Sequence, residues 1–221
     1  MDTPDTWSVV MPVKALTAAK SRLADLGPGP RSALAHAFLV DSLAAVLACP
    51  AVSRASVVTD DRDVADLAAR AGADVVTERP GSGLNAAVAY GASVAAARGE
   101  LRVAALVADL PSLTAVDLAT ALRAAAHHHH AFVPDAAGTG TTLLAATGPA
   151  GLAPRFGPGS AAAHASLGAT NLSRVVHAAL ATLRRDVDTL ADLRAAIALG
   201  AGTATTSWLD RWGALAEQAA G

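Results

Sequence analysis

The chain has 221 residues and a formal net charge of −2, with 52% hydrophobic and 16% charged residues. A compact α/β chain of this length is expected to form one domain, and its hydrophobic share is ample for a buried core. The near-neutral balance argues against a surface that coats nucleic acid, and no run of ~18 uninterrupted apolar residues offers a membrane span. The opening MDTPDTWSVV has neither a basic start nor an apolar run with a cleavage site, so no secretory signal is expected.

Residues 7–13 are apolar with β-branched members and predict a buried first strand, ended by Pro12 and a polar loop. That loop, MPVKALTAAKSRL, holds the only lysines of the chain, Lys14 and Lys20, with Arg22 close behind. Chance in a chain that prefers arginine accounts for this. A need for compact ammonium groups as point charges on phosphate accounts for it better. A turn cluster at 27–30 puts Pro30 in the first turn of a helix. Leu34, Phe38, Leu43 and Leu47 recur at near-helical spacing over 32–48, and Pro50 lies beyond the end. Cys49, the single cysteine, closes this run. It reads as a buried structural thiol, and the absence of a cysteine framework fits a reducing cytoplasm.

SVVT at 56–59 predicts a second strand, 61–71 a helix with Gly72 as its C-cap, and ADVVT at 73–77 a third strand. GSGLNAAVAYGASVAAARG gives a loop and then a helix over 84–98, stopped by Gly99. LRVAALVA at 101–108 is nearly all apolar, as expected of a central strand covered on both faces, and Asp109 follows it directly. A helix over 114–126, with Asp117 in its first turn, completes four strand–helix units. The predicted class is therefore α/β: a single domain over 1–199, with a mostly parallel twisted sheet and helices on both faces.

The second half is less regular. Residues 131–134 and 141–146 read as strands around the turn DAAGTGT, followed by a Gly/Pro-rich loop over 147–159 and a short helix from Ser160. A further strand is expected to approach Asp186-Val187-Asp188, and a last core helix to run over 189–199, with Thr189 and Asp192 at N-cap spacing. Residues 200–221 form a linker and an amphipathic helical tail whose Trp208, Leu209, Trp212 and Leu215 share a face. Docking on its own domain is expected, with a homodimer contact as the alternative.

Ligands of open parallel sheets bind beyond the carboxyl ends of the strands, and three polar features fall there. Lys14, Lys20 and Arg22 suit a triphosphate, although the loop has neither the G-x-x-x-x-G-K-[ST] nor the G-x-G-x-x-G pattern. Asp109 follows a buried strand, where a carboxylate is costly unless it meets a cation, a helix N-terminus or water. Asp186 and Asp188, two apart, point to one face of an extended segment, where a divalent ion would relieve their repulsion. Together the three aspartates have the character of an oxygen-ligand magnesium site completed by substrate phosphates. A capping or turn role for each aspartate is the bland alternative. GTGTT at 138–142 and RFGPGS at 155–160 are candidate anion sites, and each also suits an ordinary turn. The run His127 to His130 reads as a surface feature, because consecutive helical residues point in different directions. His36, His164 and His177 have no ligand spacing, with His164 open to lining an acid site.

MPVKALTAAKSRL, LNAAV at 84–88, ADLPSL at 108–113, GTGTTLL at 138–144, RFGPGSAAAH at 155–164 and DVDTLADL at 186–193 occur in an order that resembles the CofC/FbiD family. These are the phosphoenolpyruvate / 2-phospho-L-lactate guanylyltransferases of deazaflavin coenzyme F-420 biosynthesis. The resemblance spans nearly all of the chain up to about Gly200. It implies a glycosyltransferase-A-type nucleotidyltransferase fold, magnesium on Asp109, Asp186 and Asp188, and a phosphorylated acid on Thr141, Gly157 and Ser160. By looser analogy it implies GTP on Lys14, Lys20, Arg22, Leu84 and Asn85. Leu190 stands where family members often have proline, and Gly159 and Ala161 where they can carry Asp and Ser. These departures bear on the acid more than on the reaction.

The expected reaction is in-line attack by the acid's phosphate oxygen on the α-phosphorus of GTP, with pyrophosphate leaving. A phosphate monoester is largely dianionic at neutral pH, so no side-chain base is required. Asp109, Asp188 and Lys20 are the expected catalytic residues, acting by positioning and charge neutralisation. The acid is phosphoenolpyruvate, 2-phospho-L-lactate or 3-phospho-D-glycerate. The likeness to actinobacterial members favours the first. The alternatives are a nucleotidyltransferase of the same fold with another acceptor, or a nucleotide-binding module without catalysis.

Overall fold

The computed structural model describes residues 6–14, 20–77, 83–148, 151–176 and 180–218. Residues 15–19, between the two lysines, and His177 lie outside this set. Four strand–helix units open the chain: β1 (Trp7–Pro12), α1 (Pro28–Leu47), β2 (Val52–Thr59), α2 (Arg62–Ala71), β3 (Asp74–Thr77), α3 (Leu84–Ala97), β4 (Arg102–Leu106) and α4 (Ala115–Ala125). After them come β5 (His130–Pro134), β6 (Thr141–Thr147), α5 (Ser160–Ser166), β7 (Thr170–Asn171), α6 (Leu190–Ala198) and α7 (Thr203–Gln218).

The strands form a seven-stranded sheet in the order β3-β2-β1-β4-β6-β5-β7. β3, β2, β1 and β4 pair in parallel, and β5 pairs in parallel with β7. β6 alone is reversed, pairing antiparallel with β4 and β5. The expected mostly parallel sheet is therefore present, with a hairpin inserted next to its central strand.

Alternation along the strands builds two core layers. Val9 and Met11 of β1 and Ala104 and Leu106 of β4 face the larger layer, with residues of α1, α2 and α4. Val10, Val58 and Val103 face the other layer, against Ala87, Ala92 and Ala95 of α3. The small side chains of α3 let it lie close to the sheet. A Cβ on Gly91 would come within 2.5 Å of Val10 Cγ1 and 2.7 Å of Val58 Cγ2. Cys49 is buried, as expected, and burial raises its thiol pKa.

Local capping follows the sequence signals. Asp61 accepts hydrogen bonds from the Asp63 and Val64 amides, Gly72 ends α2 in the left-handed region, and Thr189 and Asp192 form a reciprocal capping box. The tail helix α7 packs on α1. Trp208 is buried beside Leu23, Leu34 and Phe38, and its Nε1–H donates to the Pro30 carbonyl at 2.9 Å. Leu209 and Trp212 join the same cluster, whereas the side chain of Leu215 is outside those described. Asp41 of α1 caps α7, accepting from the amides of Ala204 (2.9 Å) and Thr205 (2.8 Å).

One expected element is absent and one is shorter. Among the described residues, no strand leads to Asp186-Val187-Asp188. The last strand is instead β7, earlier in the chain and beside β5. The 186–188 segment is held by one backbone bond, Val187 N–H to the Asp109 carbonyl at 3.1 Å, and by Val187, which is buried against the α1/α7 cluster. β4 ends at Leu106 and not at Ala108, because the chain turns out of the sheet after the Val107 amide donates to the Thr142 carbonyl. No described helix is long and apolar enough to cross a membrane.

Candidate active site

The carboxyl ends of the adjacent strands β1 and β4 bring the lysine loop and Asp109 side by side. Lys20 Nζ donates to Asp109 Oδ2 and, at 2.9 Å, to Asp188 Oδ1. Arg22 Nη1 is 3.8 Å from Asp188 Oδ2. Burial alone would lower the pKa of Lys20, but Asp109 and Asp188 together hold it above the usual lysine range. Lys20 also takes a left-handed conformation (φ 57°), uncommon outside glycine and found where surrounding structure over-determines it. Lys14 lies in the same loop and is solvent-exposed.

Two backbone anchors hold the aspartates. The Val187–Asp109 bond ties the acidic segments together. Ser42, fully buried on α1, grips the chain on both sides of Asp109: its hydroxyl donates to the Ala108 carbonyl (3.2 Å) and accepts from the Leu110 amide (3.0 Å). Asp186 points into the same negative region. Burial first, then Asp109, Asp188 and Asp135, push its carboxyl up to about 7 against the pull of Lys20. Sequence reasoning passed over Ser42. Its signal was the Asp41-Ser42 pair set between the apolar stretches 37–40 and 43–48, where buried polar side chains need bonded partners.

These residues fit a hard divalent cation. Asp109 Oδ1 is buried without a hydrogen-bond partner among the described residues, and burial first, then the neighbouring carboxylates, raise Asp186, a setting in which a bound cation would be stabilising. Among the described residues, no group of three acidic, imidazole or thiol side chains is arranged to hold an ion alone. A magnesium ion that keeps phosphate and water oxygens in its shell needs only one or two carboxylates.

The second cluster lies at the same end of the sheet. Leu106 pairs with Leu143, so the antiparallel register carries Thr141 past the end of β4, level with the turn to Asp109. Thr141 is buried at the start of β6, and Ser160, also buried, is the first residue of α5. Gly157 lies in the loop before it, with its carbonyl accepting the Ser160 amide at 3.1 Å. The Ala161 amide donates to the Thr139 carbonyl at 3.0 Å, joining α5 to the hairpin turn. Arg184 closes the other side, donating to the carbonyls of Pro134 (3.2 Å) and Asp135 (2.8 Å) and so fixing the segment that leads to Asp186.

Leu84 and Asn85 open α3, and Asn85 bonds the loop of the second cluster. Asn85 holds the Phe156 backbone at both ends, donating to its carbonyl at 3.0 Å and accepting its amide at 2.7 Å. Of the histidines, His127 and His129 are exposed, and His128 and His130 make tertiary hydrogen bonds to Thr170 and Gly151. His36 is exposed on α1, and His164 is buried inside the second cluster.

The family described as Guanylyl transferase CofC like matches residues 7–219 of the chain. The chain belongs to this family. Among its CofC-like relatives, a protein from Streptomyces coelicolor named phosphoenolpyruvate guanylyltransferase is 52% identical over 203 residues, covering 91% of this chain and 94% of that one. A protein of the same name from Sanguibacter keddieii is 46% identical over 247 residues, covering 96% and 87%. In shape, the CofC-like chain matches a crystal structure from Desulfovibrio desulfuricans G20, provisionally named a nucleotide-diphospho-sugar transferase. The TM-score is 0.72 at 19% identity, over 96% of this chain and 97% of that one. At that identity the likeness speaks to fold, and it agrees with the nucleotidyltransferase architecture. The CofC-like chain is thus a nucleotidyltransferase whose sheet carries a lysine–aspartate cluster and a Thr/Gly/Ser cluster at one end.

Proposed function

We propose that the chain transfers GMP from GTP to the phosphate of phosphoenolpyruvate, releasing pyrophosphate, in coenzyme F-420 biosynthesis in the cytoplasm. The likeness to relatives named phosphoenolpyruvate guanylyltransferase, across nine-tenths of the chain, carries this reading. The arrangement at the strand ends supports it: one lysine between two aspartates beside a crowded third is suited to handling phosphate charge.

Asp109, Asp186 and Asp188 would hold magnesium together with phosphate and water oxygens, and the ion would supply Lewis-acid neutralisation of phosphate oxygens. Lys20, Lys14 and Arg22 meet the triphosphate, and Leu84 and Asn85 line the nucleotide's approach. Thr141, Gly157 and Ser160 take the acid. An oxygen of the acid's phosphate forms a bond to the α-phosphorus as the bond to the β-phosphate oxygen breaks, and the electron pair leaves with pyrophosphate. The attacking phosphate is already deprotonated, so the chain's task is alignment and charge neutralisation.

The test is pyrophosphate release with GTP and magnesium, run separately with phosphoenolpyruvate, 2-phospho-L-lactate and 3-phospho-D-glycerate, with ATP as the nucleotide control. Release with GTP and phosphoenolpyruvate is the expected result. Folded protein that releases none with any acid would reject the reading in favour of a non-catalytic nucleotide-binding role.

A further inference from the structure

His164 is almost completely buried (1% exposed), packed edge-on to Phe156 and tilted against Phe132. Both ring nitrogens are engaged, and the partners fix the ring's protonation. The Arg155 backbone amide points at Nε2 at 3.0 Å. An amide N–H is only a donor, so Nε2 is an acceptor and carries no proton. A neutral ring then has its hydrogen on Nδ1, which lies 2.9 Å from Thr141 Oγ1. Nδ1–H donates and the Thr141 hydroxyl accepts. Burial first, then the Arg155 charge, lower the ring's pKa to about 4, which keeps it neutral near pH 7.

This fixed direction has a chemical consequence. A threonine hydroxyl has one hydrogen. With its oxygen occupied by the imidazole donor, that hydrogen is free for an acceptor elsewhere, and among the described residues Thr141 Oγ1 has no other hydrogen bond. The same ring, through Arg155, anchors the start of the loop that holds Gly157 and Ser160.

We infer that His164 is the positioning residue of the acid subsite: it orients the Thr141 hydroxyl as a donor to an anionic oxygen of the acceptor and sets the 155–160 loop against it. This rests on the reading of Thr141, Gly157 and Ser160 as the place of the phosphorylated acid. It adds a residue to that site and a reason why the site prefers an anion over a neutral analogue.

The experiment is steady-state kinetics on the full chain with wild type, H164L, H164N, T141V and the H164L/T141V double variant, with magnesium, GTP and phosphoenolpyruvate. H164L should raise KM for phosphoenolpyruvate roughly tenfold or more, with KM for GTP within about twofold. H164N, whose amide nitrogen can take the place of Nδ1, should recover much of the loss. The double variant should lose less than the two single effects combined, because part of the ring's action passes through that hydroxyl. A nitrogen-15 spectrum of the wild type should show Nδ1 protonated and Nε2 bare at pH 7. An active wild type in which H164L leaves the acid's KM unchanged, adds fully to T141V, or raises both KM values alike would overturn the proposal and leave the guanylyltransferase reading standing. A proton on Nε2 would overturn it as well. Wild type that releases no pyrophosphate with any of the three acids would sink that reading, and this proposal with it.

Discussion

Ser42 fixes the position of Asp109 without touching its side chain. The hydroxyl sits in the C-terminal half of α1 and bonds the carbonyl before Asp109 and the amide after it, at 3.2 and 3.0 Å. A buried helix and a catalytic-end loop are thereby coupled through one oxygen. Ser42→Ala leaves a buried amide and carbonyl without that partner, which should cost about 1–3 kcal/mol in urea denaturation. Because Asp109 loses its support, kcat for pyrophosphate release should fall at least severalfold. A loss of stability with kcat intact would separate the serine from the site.

Asp109→Asn and Asp188→Asn each remove a charge facing Lys20 and an oxygen suited to a cation. Both should lose nearly all turnover while circular dichroism and melting stay close to wild type. Near-normal activity in either variant would reject the metal assignment.

Lys20→Ala is expected to raise KM for GTP more than KM for the acid. Removing the ammonium leaves Asp109 and Asp188 facing each other without their shared cation, so the variant should also bind added magnesium more readily in calorimetry. A larger effect on the acid than on GTP would assign Lys20 to the other subsite.

His164 gives a pH dependence of stability whose sign follows from its surroundings. The unfolded ring takes up its proton near 6.5 and the folded ring near 4. Between these values the unfolded chain binds more protons, so this contribution is complete above 6.5 and is lost as pH falls towards 4. The effect is of the order of 3 kcal/mol. Denaturation of wild type between pH 7 and 4.5 should show a steeper loss than that of H164L. Parallel curves would mean that the ring is not held neutral.

The tail helix is joined to the fold by Trp208 on Pro30 and by the Asp41 cap. Trp208→Ala should destabilise the chain by about 3–5 kcal/mol, as for other large buried side chains. Truncation after residue 199 should expose Leu34 and Phe38 and lower the melting temperature sharply. A truncated chain as stable as the full one would make residues 200–221 an appendage.

The sequence by itself determined the four strand–helix units, their caps and the lysine loop, because these are read from periodicity, turn residues and rarity over short spans. It also marked Asp109, Asp186 and Asp188 as carboxylates beside apolar segments, and the resemblance to a family pointed to Thr141, Gly157 and Ser160. Tertiary structure alone decided their partners. Among the described residues no strand precedes Asp186, whose segment is set instead by long-range bonds from Val187 to Asp109 and from Lys20 to Asp188 and by burial of Val187, none of which leaves a local pattern. Asn85, placed with the nucleotide on family grounds, holds the Phe156 backbone from 71 residues away. Ser42 and His164 look like ordinary interior residues until the 108–110 turn and the 155–160 loop fold over them. Local physics is written along the chain, whereas the direction of a hydroxyl's one hydrogen depends on which distant groups the fold brings against it.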